Sequence, residues 1–288
     1  MPELTSEVGG HSVRTWVEGK GKPLLFFYDQ WHVSPGLSPL VEELRYRFRV
    51  HAVNPPGFGG SSLAEESSMT TKEYAAFLGE ALGTVTGGRA IMVLHDIGLP
   101  IGLEALAEGY APLDRLDGVV LSNGPLYEDQ VPSSLSPRMS PFLRLRDLPT
   151  DRIAHRRRLL KLYGSPEQLD EALAATCWER YIQGYLRSQT RLGQSLEESL
   201  AVSRQRLSRL AESGIPVLVL WGEVDPLGGK DIAQRIGEDL PEAEGFLLPG
   251  VGHFPHVEAP KVMADEILAF LSRTRPPPPS SIVPFPVR

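Results

Sequence analysis

Short apolar runs separated by stretches of helical period constrain this chain more than any other feature. His11–Val17 reads as an edge strand and Pro23–Tyr28 as a buried one, and Phe48–Val53, Ala90–Leu94 and Gly118–Ser122 follow. Helical patterns lie between them, around Leu37–Arg45, from Thr70-Thr71 to about Leu82, and over Gly98–Glu108. Buried strands alternating with amphipathic helices predict βαβ units and a parallel sheet. Thr70, with Glu73 three residues on, has the spacing of a capping box.

The rhythm breaks near Gly124, and no buried strand is visible until Ile215–Trp221 and Gly245–Leu248; a last helix covers about Ala259–Ser272. This organisation predicts a sheet core from 1–123 and 214–275, a helical cap (lid) domain over 124–213, and a proline-rich tail over 276–288. The run Pro276–Pro279 cannot be helical. A chain of 288 residues suits one such core with an insertion.

The net charge of −7 argues against a nucleic-acid binder, which needs an excess of clustered Lys and Arg. The lone cysteine, Cys177, forms no internal disulfide and cannot build a zinc site; it reads as a small buried hydrophobe. No leader or membrane-spanning run is visible, so the expectation is a cytoplasmic protein with no membrane partner. Oligomeric state is not legible, and nothing calls for a cofactor or a metal.

Three loops carry the chemistry, each just beyond the carboxyl end of an expected strand, where open α/β sheets place their ligands. They are Leu94-His95-Asp96-Ile97-Gly98, Trp221-Gly222-Glu223-Val224-Asp225-Pro226, and Gly250-Val251-Gly252-His253-Phe254-Pro255-His256. The first passes from a strand directly into a helix. Such a bend exposes one side chain and aims the next N–H at a developing anion.

The order Asp96, Asp225, His253 resembles the α/β-hydrolase superfamily, in which nucleophile, acid and histidine follow in that order. The turn Asn54-Pro55-Pro56-Gly57-Phe58-Gly59-Gly60-Ser61 is similar to another stretch of that family. The resemblance covers most of the chain outside the cap and tail. It implies an α/β-hydrolase fold: a mostly parallel eight-stranded sheet flanked by helices, with an inserted helical cap. Within the superfamily, His95-Asp96 followed by Gly98 resembles the epoxide hydrolases and the haloalkane and haloacetate dehalogenases.

An aspartate needs no base to become nucleophilic, because its reference pKa lies near 3.9. Its attack on an acyl carbon would give an anhydride, so it suits displacement at an sp³ carbon. The resemblance then implies hydrolysis of an epoxide or similar electrophile through an alkyl ester, which His253, oriented by Asp225, cleaves with water. The partner expected is a largely apolar small molecule. Gln30 and the Ile97 N–H are the candidates for leaving-group or oxyanion binding, and Asp29, Trp31, Trp178, Tyr181 and Tyr185 for the pocket. In the epoxide enzymes cap tyrosines protonate the leaving alkoxide, a role that Tyr181 and Tyr185 would fill.

The chain also departs from the family. Asp29 stands where the family keeps glycine; turned towards Asp96, the two carboxylates would repel and one pKa would rise. Ile97 replaces the tryptophan or arginine that follows the nucleophile in the dehalogenases. Leu94 and Leu99 replace small residues, so the bend must pack differently. These departures keep three alternatives open: a cofactor-independent lyase, cyclase or isomerase using Asp96 or Asp29 with His253; a haloalkane dehalogenase-like enzyme; and a non-catalytic ligand-binding module.

Each residue has a plainer role to weigh against these. In these roles Asp96 would cap the following helix, Asp225 would be a turn residue before Pro226, and His253 would be structural. His95 and His256 read as packing or orienting residues, and Asp29, Gln30 and Trp31 as loop architecture or active-site wall. Tyr163, Trp178, Tyr181 and Tyr185 read as cap core. Arg138, Arg144, Arg146, Arg152, Arg156, Arg157 and Arg158 form a solvated helix face, the alternative being attraction of an anionic substrate or acidic carrier protein.

Overall fold

Strand Ala90–His95 is buried at every position, as expected of a parallel strand covered on both faces. It lies at the centre of an eight-stranded sheet in a computed structural model that describes residues 3–27, 36–63, 69–130, 151–182 and 185–274. Within that range, the side chains of 180–191, 194 and 274 are outside the description.

The strands are β1 (Glu3–Val8), β2 (His11–Gly19), β3 (Lys22–Phe27), β4 (Phe48–Val53), β5 (Ala90–His95), β6 (Leu116–Ser122), β7 (Val217–Gly222) and β8 (Glu244–Leu248). Their order across the sheet is β1-β2-β4-β3-β5-β6-β7-β8. β1 pairs antiparallel with β2, and β2 with β4; all other pairs are parallel. The chain leaves β3 for β4 on one side and reaches β5 on the other. That reversal opens a crevice at the carboxyl ends of the strands.

Alternate residues of each strand feed opposite faces. Leu25, Phe27, Met92, Leu94, Val119 and Leu121 join one apolar cluster, and Leu24, Phe26, Ile91, Val93 and Val120 the other. The second cluster is closed by α1 (Ser38–Leu44) and by the last helix, which supplies Met263, Ile267 and Phe270. The first is closed partly by α2 (Thr71–Thr86) and α3 (Gly98–Ala107). The Thr70–Glu73 capping box forms as expected, and α2 runs four residues beyond Leu82 to a left-handed Gly87.

Between β6 and β7 the described residues contain α4 (Arg152–Leu160), α5 (Glu171–Ile182), α6 (Tyr185–Ala201) and α7 (Ser203–Glu212), and no strand. α7 packs back on α3, where Arg206 Nη2 lies 3.2 Å from the buried Glu104 carboxylate. Arg152 and Arg156 pair with exposed Glu171 at 2.7 and 3.0 Å, on a solvated face. Cys177 is buried in α5. Beyond β7 follow α8 (Lys230–Asp239), α9 (Pro255–Glu258) and α10 (Pro260–Thr274). Among the described residues no helix is long and apolar enough to cross a membrane.

Leu94 is accommodated by an exchange of size. The glycine at position 102 of α3 lies directly over the Leu94 δ-carbons, and a Cβ there would overlap both. Gly102→Ala is therefore expected to destabilise the fold by about 1–3 kcal/mol, as overpacked cores do. Adding Leu94→Val, which removes the δ-carbons, should recover much of that loss. Urea denaturation of the two single variants and the double variant checks the coupling, and simple additivity would contradict it.

Candidate active site

Asp96 is the only non-glycine residue with a positive φ among the described residues, at 50°. An L-residue in that region costs roughly 1–2 kcal/mol, so its surroundings must impose it. They do so through backbone. The Asp96 N–H donates to the Asn123 carbonyl at 2.8 Å, and the Asp96 carbonyl accepts from Leu99 N at 3.0 Å. Gly98 must be glycine because a Cβ would stand 2.5 Å from the Phe27 carbonyl oxygen. Gly124 passes just as close on the other side, where a Cβ would meet the Asp96 carbonyl oxygen at 2.6 Å.

The capping role does not describe Asp96. The N-cap of α3 is Ile97, with no side-chain cap hydrogen bond. The Asp96 carboxylate is 1% exposed, and neither oxygen accepts a hydrogen bond from a described residue. A buried carboxylate without such bonds is costly unless another charge answers it.

That charge belongs to His253. Its Nε2 lies 3.7 Å from Asp96 Oδ1, beyond hydrogen-bond length but within strong Coulomb reach. Its Nδ1 lies 2.9 Å from Asp225 Oδ2. Burial pulls the imidazolium pKa down, but the charge and hydrogen bond of Asp225 and the nearby Asp96 outweigh it, lifting the pKa to about 10. Three residues far apart in sequence thus meet as carboxylate, imidazole and carboxylate.

Asp225 is also held by two other donors: Asn123 Nδ2 donates to Oδ2 at 2.7 Å and Leu227 N to Oδ1 at 2.9 Å. Asn123 was not singled out from the sequence. Its carbonyl holds the bend at Asp96, and its side-chain amide holds Asp225 and accepts from Gly222 N at 2.7 Å. The available signal was its position, the first residue beyond the carboxyl end of β6.

His95 and His256 are buried packing residues. The His95 ring lies 5.1 Å from that of His253 and 4.8 Å from that of His256, and His256 meets Phe26 edge-on at 5.7 Å. Ile97 is buried directly after the bend. Trp178 in α5 is half-buried and packs at 5.6 Å on His155, and Tyr163 at 5.1 Å on Phe254. Asp29, Gln30 and Trp31 lie outside the described residues, as do Arg138, Arg144 and Arg146. Tyr181 falls in α5 and Tyr185 opens α6, but their side chains are outside the description.

The chain is similar to known proteins over most of its length. The family model described as alpha/beta hydrolase fold matches residues 26–260. LipZ of Mycobacterium tuberculosis is 27% identical over 224 residues, covering 75% of this chain and 76% of that protein. The pimeloyl-acyl-carrier-protein methyl ester esterase of Pectobacterium atrosepticum is 22% identical over 270 residues, covering 88% and 96%. Among solved structures, the epoxide hydrolase CorEH superposes with a TM-score of 0.73 at 18% identity, over 95% of this chain and 99% of that one.

Proposed function

The chain belongs to the alpha/beta hydrolase fold family, and from that premise we propose that it hydrolyses an epoxide or a related sp³ electrophile with Asp96 as nucleophile. The observation that carries the reading is the Asp96 carboxylate: buried at a strained bend, accepting no hydrogen bond from a described residue, and facing His253 at 3.7 Å. The fold is one that an epoxide hydrolase shares. The likeness to an ester hydrolase extends to the fold and not to the first step, because aspartate attack on an ester carbonyl would leave an anhydride.

In this reading an Asp96 oxygen attacks a ring carbon, the carbon–oxygen bond of the epoxide breaks, and the alkoxide takes a proton from Tyr181 or Tyr185 of the helical cap. Forming the ester removes the negative charge of Asp96. That charge helps to keep His253 protonated, so the imidazole now releases its proton more readily, and that proton restores the tyrosine. Neutral His253 then takes a proton from water. The hydroxide adds to the ester carbonyl carbon; the tetrahedral intermediate collapses by breaking the bond to the diol oxygen, which takes the proton of the added hydroxyl, and Asp96 is left as a carboxylate with one oxygen from water.

The test is repeated turnover of a panel of small aryl and alkyl epoxides in ¹⁸O-water, followed by mass analysis of the peptide containing Asp96. The label is expected in that carboxylate. An enzyme that turns over without labelling Asp96 has no covalent step there.

One observation favours a second reading. The buried Asp96 carboxyl and His253 ring, 3.7 Å apart, also suit a non-hydrolytic lyase, cyclase or isomerase with Asp96 as general acid and His253 as base. Such an enzyme would give product free of solvent oxygen and would retain partial activity in Asp96→Asn.

A further inference from the structure

The loop that carries His253 is anchored at three consecutive amides. Gly252 N donates to both oxygens of Glu258, at 3.1 and 3.2 Å, and Phe254 N donates to Glu258 Oε1 at 3.2 Å. The His253 N–H points the other way, to the Leu162 carbonyl at 2.8 Å. Leu162 belongs to the turn that follows α4, and the same turn returns to Glu258: Gly164 N and Ser165 N donate to Oε2 at 2.8 and 3.3 Å. One buried carboxylate therefore accepts from two amides of the histidine loop and two of the inserted segment.

The two strips of backbone interlock without room for side chains. A Cβ on Gly164 would overlap the Gly250 carbonyl and approach Gly252 N at 2.8 Å, and a Cβ on Gly252 would overlap Leu162 and Gly164. Burial pushes the Glu258 carboxyl pKa up, and the four backbone amides oppose that shift. An acceptor needed only to tie the insertion down would have no reason to bracket the histidine. Holding residues 252 and 254 fixes the Cα–Cβ direction of His253, and with it the aim of the ring.

We propose that Glu258 is a positioning residue that locks the histidine loop and the Leu162–Ser165 turn into one unit, so that the seating of the inserted helices and the aim of His253 are set together. This rests on the reading that His253 works against Asp225. It does not depend on Asp96 being the nucleophile.

The test follows the ring nitrogens of His253 in the full chain labelled with ¹⁵N-histidine, the resonance being assigned by its loss in His253→Ala. The ring faces the carboxylates of Asp225 and Asp96 and the ring of His95. In the parent protein the midpoint is expected at about 10, and in Glu258→Ala it is expected to fall towards the ordinary 6.5 as the ring loses its register with Asp225. Glu258→Gln, which retains one accepting oxygen, should hold most of the shift. If Glu258→Ala does not fold, Gly164→Ala displaces the turn from the other side and should lower the midpoint in the same way. A folded Glu258→Ala or Gly164→Ala protein whose His253 titrates as in the parent overturns the proposal. Absence of ¹⁸O in Asp96 would count against the covalent mechanism and leave this titration unchanged.

Discussion

Replacing His253 by glutamine should stop the reaction half-way, leaving the enzyme carrying its substrate as an ester on Asp96. Attack by a carboxylate requires no base, so the first step survives, whereas water needs a proton acceptor to cleave the ester. Glutamine preserves much of the side-chain volume and can still donate a hydrogen bond to Asp225, whose Oδ2 now lies 2.9 Å from His253 Nδ1. Steady-state turnover should fall about 10³-fold or more. Intact-mass analysis after mixing with an epoxide that the parent enzyme hydrolyses should show a near-stoichiometric gain equal to the whole epoxide. Retained turnover would remove His253 from the mechanism. Loss of turnover with no adduct would mean that Asp96 does not attack carbon.

Asp96→Asn should abolish hydrolysis, with a loss on the order of 10⁴-fold or more, while leaving the bend intact. Asparagine tolerates the left-handed region better than most residues, and the φ of 50° is imposed by neighbouring backbone. The variant also changes the pH dependence of stability. His253 has a folded-state pKa of about 10 against an ordinary 6.5, so its ion pairing contributes fully below pH 6.5 and is lost as the pH rises through about 10. With one of the two carboxylates made neutral, the His253 pKa should fall. The alkaline loss should then be smaller and come at lower pH. Melting temperatures of parent and variant across pH 6 to 11, together with titration of the His253 ring, check both parts, the range being about the window set by that shift. An unchanged His253 midpoint would mean that the 3.7 Å contact carries little charge interaction.

The parts of this molecule legible in its sequence are those written in side-chain character. β5 and β7 are buried along their whole length and stand out as apolar runs. Asp96, Asp225 and His253 are polar residues in loops that leave the carboxyl ends of strands, so their convergence followed once a parallel sheet was inferred. β1 gave no such signal, because of its residues only Val8 is buried; it pairs with β2 through a turn built on Gly9 and Gly10, both at positive φ. Asn123 carries only its position beyond β6 as a signal, and Gly124 and Glu258 carry none, for another reason. They act through backbone groups of residues distant in sequence or through close approach, as where Asn123 reaches Gly222 and Asp225. Gly102 makes the room that Leu94 takes, so the substitution at 94 could be read as a departure but not as half of an exchange.

The bend at Asp96 is held by the Asn123 carbonyl, the Leu99 N–H and the close passage of Gly98 and Gly124, none of which touches the carboxylate. Posture and reactivity are therefore separately encoded at this position. A serine placed there would inherit the same stance beside the same imidazole, and one codon change would exchange the proposed alkyl-ester chemistry for an acylating one. In a scaffold built this way, mechanism can diverge faster than architecture.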